Sequence, residues 1–209
     1  MMGSCVIVGT DTNVGKTVFA AALADAFDAY YWKPVQAGLG EETDSQTVAR
    51  LSGLTPERIL PELWRLPLPA SPHIAAREAG VEIDVVALHP PRGVAHVIIE
   101  TAGGVMVPLT KDFLTIDLLA RWRLPVILVA RTELGTINHS LLTLEALRRR
   151  DIVVKGVAFV GDEDVAAQQT ITTISGVRQL GRLPRLDPLN RKTLRSAFAA
   201  HFSMQEFLL

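Results

Sequence analysis

The segment Gly9-Thr10-Asp11-Thr12-Asn13-Val14-Gly15-Lys16-Thr17 sets a lysine and a hydroxyl directly behind a glycine. The apolar run Cys5-Val6-Ile7-Val8 precedes it, and an alanine-rich stretch from Val18 to Ala24 follows. Strand, tight loop and helix is the context that a phosphate-binding loop needs. Backbone N–H groups of the loop and of the open helix N-terminus converge on one spot and favour an anion there. Lys16 adds a point charge for the outer phosphates, and the Thr17 hydroxyl suits a Mg²⁺ ligand. The usual spacing puts a glycine at position 10, where this chain carries Thr10.

Further polar residues fall just after apolar runs. Lys33 ends one run beside Pro34 and could stabilise charge on a transferring phosphoryl group or a substrate anion. Glu100 ends another, ahead of Gly103-Gly104. A carboxylate at the end of an apolar strand needs a cation, and Mg²⁺ beside Thr17 supplies one. Asp44 opens a helical stretch, where both an N-cap and a metal ligand are open to it. Gly135-Thr136-Ile137-Asn138 opens a further helix. Thr136 is a cap there, or the free N–H groups take a second anion. His73 and His139 lack any metal-like spacing and read as structural hydrogen-bonding residues.

The elements that must position these groups alternate. Strands are predicted over Cys5–Val8, Tyr30–Lys33, His96–Glu100, Val126–Ala130 and Val154–Val160. Helices are predicted over Lys16–Phe27, Ser45–Leu51, Phe113–Trp122, Ile137–Arg149, Asp164–Ile174 and Asn190–His201. Ile98-Ile99 and Val126-Ile127-Leu128-Val129 are continuous apolar runs, as in strands covered on both faces. The fold class is therefore α/β, a doubly wound, mostly parallel sheet with helices on both faces. Ligands of such sheets gather beyond the carboxyl ends of the strands. Lys33–Gly38, Glu100–Gly104, Arg131–Thr136 and Gly161-Asp162 should then share one rim with the phosphate loop.

Bulk properties bound the answer. The chain has 209 residues, 48% hydrophobic and 21% charged, with a net charge of −1. One domain over 1–209 is expected. Near-neutral charge gives no field for nucleic acid or an anionic membrane. The cations Arg148-Arg149-Arg150 end a helix and complement its dipole. No run reaches the roughly 20 apolar residues of a membrane span. The lone Cys5 cannot form an internal disulfide and reads as a small buried thiol. A cytoplasmic location is expected.

Taken together, these segments resemble the dethiobiotin synthetase family. The resemblance rests on Gly9–Thr17, on Lys33-Pro34-Val35 with Gly38, and on Ser71-Pro72-His73-Ile74. It continues through Glu100 with Ala102-Gly103-Gly104, Leu124–Val129, and Leu134–His139 with Leu142-Thr143. Their order and spacing cover nearly the whole chain. The resemblance implies a Mg²⁺- and ATP-dependent homodimeric ligase. Such an enzyme joins 7,8-diaminopelargonate and CO₂ (from bicarbonate) into dethiobiotin through a carbamate and a carbamic–phosphoric anhydride. It implies a catalytic Lys33 that holds the carbamate, assisted by Lys16 and Thr12. It assigns metal contacts to Thr17, Asp44 and Glu100. It assigns nucleotide contacts to Asn13, Val14, Gly15, Lys16, Thr17 and Val18, with Ala102, Gly103, Gly161, Pro184 and Arg185. Substrate contacts fall on Thr12, Lys33, Ala37, Gly135, Thr136 and Asn138, the last three reaching across a dimer interface.

Three positions depart from the pattern. Ala37 stands where many relatives carry a hydroxyl. Asn13 replaces an acidic residue found in some. Gly161 replaces an adenine-reading asparagine, which points to a looser choice among nucleoside triphosphates, with Arg185 stacking on the base. The rival class is a P-loop ATPase of the partitioning or site-selection type. Those proteins carry an extra lysine where this chain has Asp11.

Overall fold

The computed structural model describes residues 3–208. Chain order runs β1 (Cys5–Gly9), α1 (Lys16–Phe27), β2 (Tyr30–Trp32), β3 (Val35–Ala37), α2 (Asp44–Ser52), β4 (Ile59–Leu60), β5 (Trp64–Leu66) and α3 (Pro72–Glu78). It continues with β6 (Val97–Gly104), α4 (Thr115–Trp122), β7 (Val126–Arg131), α5 (Thr136–Arg148), β8 (Val154–Val160), α6 (Val165–Ser175), β9 (Gln179–Leu183) and α7 (Arg191–His201). Seven strands form one sheet in the order β4-β2-β6-β1-β7-β8-β9, and β3 pairs with β5 in a second, small sheet. Every strand pairing is parallel. The predicted doubly wound sheet is the fold that forms.

Both faces of the central strands are buried. Along β1, Val6 and Val8 enter one apolar cluster, with Leu119, Leu144 and Ile171. Cys5 and Ile7 enter the other, with Phe19, Leu51 and Phe198. Strand alternation sends neighbours to opposite faces, so helices on both sides demand continuous apolar runs. Phe198 stacks on Phe202 with ring centroids 4.7 Å apart, and Phe19 lies 5.5 Å from Phe202, which ties α7 to α1.

Several elements lie outside the sequence expectation. β3, β4 and β5 have two or three residues each, too few to show a period. β9 mixes exposed and buried residues at a sheet edge. α3 has seven residues, with Ser71 as its N-cap and Pro72 as its first residue. β6 runs on to Gly104, so Glu100 lies mid-strand instead of at its end.

Because all strands point one way, the segments after β1, β2, β6, β7 and β8 open on one rim. β1 sits between β6 and β7 at the centre of that rim. Sheets of this class place ligands there.

Candidate active site

The loop after β1 is tightly folded. Gly9 lies under the returning lysine: a Cβ there would sit 2.8 Å from Lys16 Nζ and 2.9 Å from the Asp11 carbonyl oxygen. Glycine permits that close approach. Thr10 is not among the residues with positive φ, so the absent glycine is not needed at that position. Asn13 has φ 58°, a left-handed conformation that Asn tolerates better than most side chains. α1 begins after Gly15, with no side-chain cap and no acid in its first turn. Its first N–H groups are thus left for an anion. Val14 is buried beneath the loop and Val18 packs against the same core, whereas Thr12 is exposed at its tip.

The Lys16 ammonium donates to the Asp11 carbonyl at 2.8 Å. Burial pulls its pKa down to about 8, against a partial offset from Glu100 and Asp44. A triphosphate beside it would restore the full charge.

Four side chains meet under the loop. Thr17 Oγ1 lies 2.8 Å from Asp44 Oδ1 and 2.9 Å from Glu100 Oε1. Lys33 Nζ lies 2.5 Å from Asp44 Oδ2 and 3.2 Å from Glu100 Oε1, and also donates to the Thr101 carbonyl at 3.4 Å. Glu100 is 1% exposed and Lys33 3%, so neither is solvated. Burial alone would lower the Lys33 pKa; the Glu100 and Asp44 carboxylates outweigh it and leave it raised. Burial likewise opposes ionisation of Asp44, but Lys33 and the Thr17 hydroxyl hold its pKa below the ordinary value. Lys33 is therefore a fixed cation at neutral pH.

Thr43, not Asp44, caps α2: its hydroxyl accepts from the Gln46 N–H, and the Gln46 side chain accepts from the Thr43 N–H. That leaves the Asp44 carboxylate free to face Thr17 and Lys33. The Asp44 N–H donates to Gln36 Oε1 at 3.3 Å, and Gln36 Nε2 donates to the carbonyls of Ala37 and Gly38. Gln36 thereby holds β3 against the start of α2.

The oxygens of Thr17, Asp44 and Glu100 suit Mg²⁺ in kind and position. One hydroxyl proton stands between two carboxylate oxygens, so a hard cation fits the cluster's charge better than that proton does. Among the described residues, no group of three or more His, Cys, Asp or Glu side chains could hold a metal by itself. Mg²⁺ takes one or two carboxylates and completes its shell from phosphates and water, a demand that Asp44 and Glu100 with Thr17 would meet.

The remaining expected residues spread along the rim. Gly103 adjoins the loop, since a Cβ on it would lie 3.6 Å from Thr12 Oγ1; Ala102 precedes it in β6. Ala37 is half-buried in β3. Gly135 is the left-handed N-cap of α5, without side-chain capping. Thr136 does not cap this helix; its hydroxyl donates to the Arg131 carbonyl. Asn138 is exposed and borders a groove of about 480 Å³ with Met106, Leu142 and Glu145. Gly161 has φ 131°, and a Cβ there would collide with Thr132 Oγ1. Pro184 is half-buried after β9. Arg185 pairs with Glu133 and lies 3.8 Å from Asp162, so its guanidinium bridges two rim loops. His73 meets the Ser71 hydroxyl at 3.1 Å, the local contact expected of a structural histidine.

Tyr31 is a site neighbour absent from the sequence reading, whereas Gln36 and Thr132 lie in the expected rim segments but had no role assigned to them. Strand alternation offered a signal for Tyr31: in the strand predicted over Tyr30–Lys33 it lies two residues from Lys33 and so on the same face.

A family model described as an AAA domain matches residues 4–193. The ATP-dependent dethiobiotin synthetase BioD of Nitrobacter hamburgensis is 57% identical over 203 residues, 97% of this chain and 96% of the relative. That of Agrobacterium fabrum is 60% identical over 203 residues, with the same coverage. Among solved structures, the septum site-determining protein MinD complexed with Mg-ADP from Pyrococcus horikoshii aligns with a TM-score of 0.55 at 13% identity, covering 94% of this chain and 86% of that one. A ParA family ATPase from Chlorobium tepidum aligns with a TM-score of 0.52 at 13% identity, covering 95% and 91%. These two show a shared fold and no more. The partitioning-type rival thus shares the architecture, but the near-full-length identity lies with the synthetases. By that identity and the family model, the chain belongs to the P-loop, AAA-domain proteins and, within them, to the ATP-dependent dethiobiotin synthetase family.

Proposed function

We propose that the protein closes a cyclic urea. ATP, 7,8-diaminopelargonate and CO₂ would give dethiobiotin, ADP and phosphate. One amine captures CO₂ as a carbamate, the carbamate oxygen takes the γ-phosphoryl group, and the second amine then displaces phosphate. The observation that carries this reading is the buried Lys33 ammonium set between Asp44 and Glu100 beside Thr17.

The difficulty of the reaction is electrostatic, because a carbamate and a triphosphate repel. Lys33 would take the carbamate, exchanging its contact with the half-buried Asp44 for the incoming anion. Its raised pKa suits a standing charge and not a proton acceptor. Lys16 would swing from the Asp11 carbonyl to the outer phosphates. Preorganised cations of this kind stabilise charge as it develops. Mg²⁺ held by Thr17, Asp44 and Glu100 would draw charge from the phosphate oxygens. The N–H groups of Asn13 to Val18 would cradle the phosphates, and Thr12 with Ala37 would border the diamine.

A homodimer completes the reading. Met106, Ile137 and Leu142 are exposed apolar residues, with Ile137 and Leu142 on α5, and Leu134 precedes that helix fully exposed. A second copy covering them would bring its own Gly135–Asn138 helix start, with free N–H groups, to the substrate carboxylate. The unit proposed to do this is one domain, 1–209. No described helix is long and apolar enough to cross a membrane.

The test is product formation together with ATP hydrolysis, with and without the diamine and bicarbonate. Dethiobiotin should appear, and hydrolysis should require the diamine. Hydrolysis indifferent to the diamine would overturn the reading.

A further inference from the structure

We infer that Tyr31 is a positioning residue for the metal-side carboxylate Glu100, taking one of its two oxygens so that only the other serves the phosphate site. This rests on the nucleotide site proposed above.

The two oxygens of Glu100 have separate partners. Oε2 accepts the Tyr31 hydroxyl at 2.8 Å. Oε1 faces Thr17 at 2.9 Å and Lys33 at 3.2 Å. Tyr31 is 0% exposed and Glu100 1%, so water does not compete for that bond. The ring is held by the apolar cluster of Ile7, Phe19 and Ile98. Its hydroxyl is the polar tip of an otherwise packed side chain, and such a tip needs a partner. A phenol keeps its proton at neutral pH, so the hydroxyl is the donor and the carboxylate oxygen the acceptor.

The consequence is a fixed carboxylate rotamer. Without the phenol, Glu100 Oε2 would be buried and unsatisfied, and the carboxylate would rotate or turn away from Thr17. Groups that orient a ligand in this way commonly change metal affinity about 10- to 100-fold when removed. Tyr31→Phe keeps the ring and its packing and deletes only the hydroxyl.

The experiment measures ADP affinity of wild type and Tyr31→Phe by calorimetry, once in EDTA and once in saturating Mg²⁺. The two proteins should bind ADP in EDTA equally, to within about twofold, the usual error for independent effects. The gain in ADP affinity on adding Mg²⁺ should fall about 10-fold in Tyr31→Phe. In a Glu100→Gln background the same change should have no further effect, because Tyr31 acts through Glu100. An equal Mg²⁺-linked gain in wild type and Tyr31→Phe overturns the inference while leaving the nucleotide site standing. So does an equal loss with and without Mg²⁺, which is what a purely structural role gives. Failure of wild type to bind ADP at all would overturn the site reading and this inference with it.

Discussion

Lys33 Nζ stands 2.5 Å from Asp44 Oδ2, a contact between the end of β2 and the first residue of α2. The pair joins the strand that delivers the cation to the helix that delivers the carboxylate. It also means that Lys33 supports the fold as well as the proposed chemistry.

Lys33→Ala should therefore fail twice. Turnover at saturating ATP should fall at least about 100-fold, the scale of one lost electrostatic donor. Stability should fall by about 3–5 kcal/mol, because Glu100 and Asp44 lose their buried counter-ion. Steady-state dethiobiotin formation and urea melts measure the two effects. Turnover near wild type would remove Lys33 from the reaction.

Glu100→Gln preserves shape and removes charge. The Mg²⁺ concentration for half-maximal rate should rise about 10-fold. A titration that overlays wild type would show that Glu100 does not serve the metal.

Gly161 combines φ 131° with a Thr132 hydroxyl where a Cβ would go. Gly161→Asn should destabilise by about 1–3 kcal/mol, the cost of forcing a side chain into that conformation. Thr132→Ala in the same chain should return part of the loss. Without a side chain at 161 to read a base edge, kcat/KM should differ little among ATP, CTP and GTP. A strong preference for ATP would show that other groups on the rim read the base.

Leu142 is 61% exposed on α5. Leu142→Asp buries a charge if that face is covered by a second copy. Sedimentation should then give a monomer whose circular dichroism is unchanged and whose activity is lost. A dimer that persists would place the interface elsewhere.

Cys5 is buried in β1, and burial pushes its thiol up to about 12 from an ordinary value of 9.0. The unfolded chain releases this proton from about pH 9, whereas the folded chain keeps it. Fewer protons on the unfolded state mean that stability falls as pH rises between those values, by about 1.4 kcal/mol per pH unit. Melting temperatures from pH 7 to 10.5 should decline less steeply for Cys5→Ala. Parallel slopes would show that the thiol does not ionise in this way.

The phosphate loop, its flanking elements and the parallel sheet were legible in the chain. Their signals are local: a glycine-lysine-threonine run, an alanine-rich helix, and continuous apolar strands such as Val126–Val129. Burial on both faces imposes that pattern wherever it occurs. Elements of two or three residues, such as β3 and β5, left no such trace. The choice at Asp44 was also invisible, because Thr43 and Asp44 are both good caps and only their contacts tell them apart.

The sequence by itself determined the kinds of group available, a lysine, two carboxylates and a hydroxyl behind a phosphate loop, and the rim on which they had to lie. Tertiary structure decided which atoms meet. Glu100 and Tyr31 are 69 residues apart, and Thr17 and Glu100 are 83 apart. Contacts over such separations depend on strand register and side-chain rotamer, which packing of the whole sheet sets and no local pattern encodes. The division of Glu100 between Tyr31 on one oxygen and Thr17 with Lys33 on the other is of that kind.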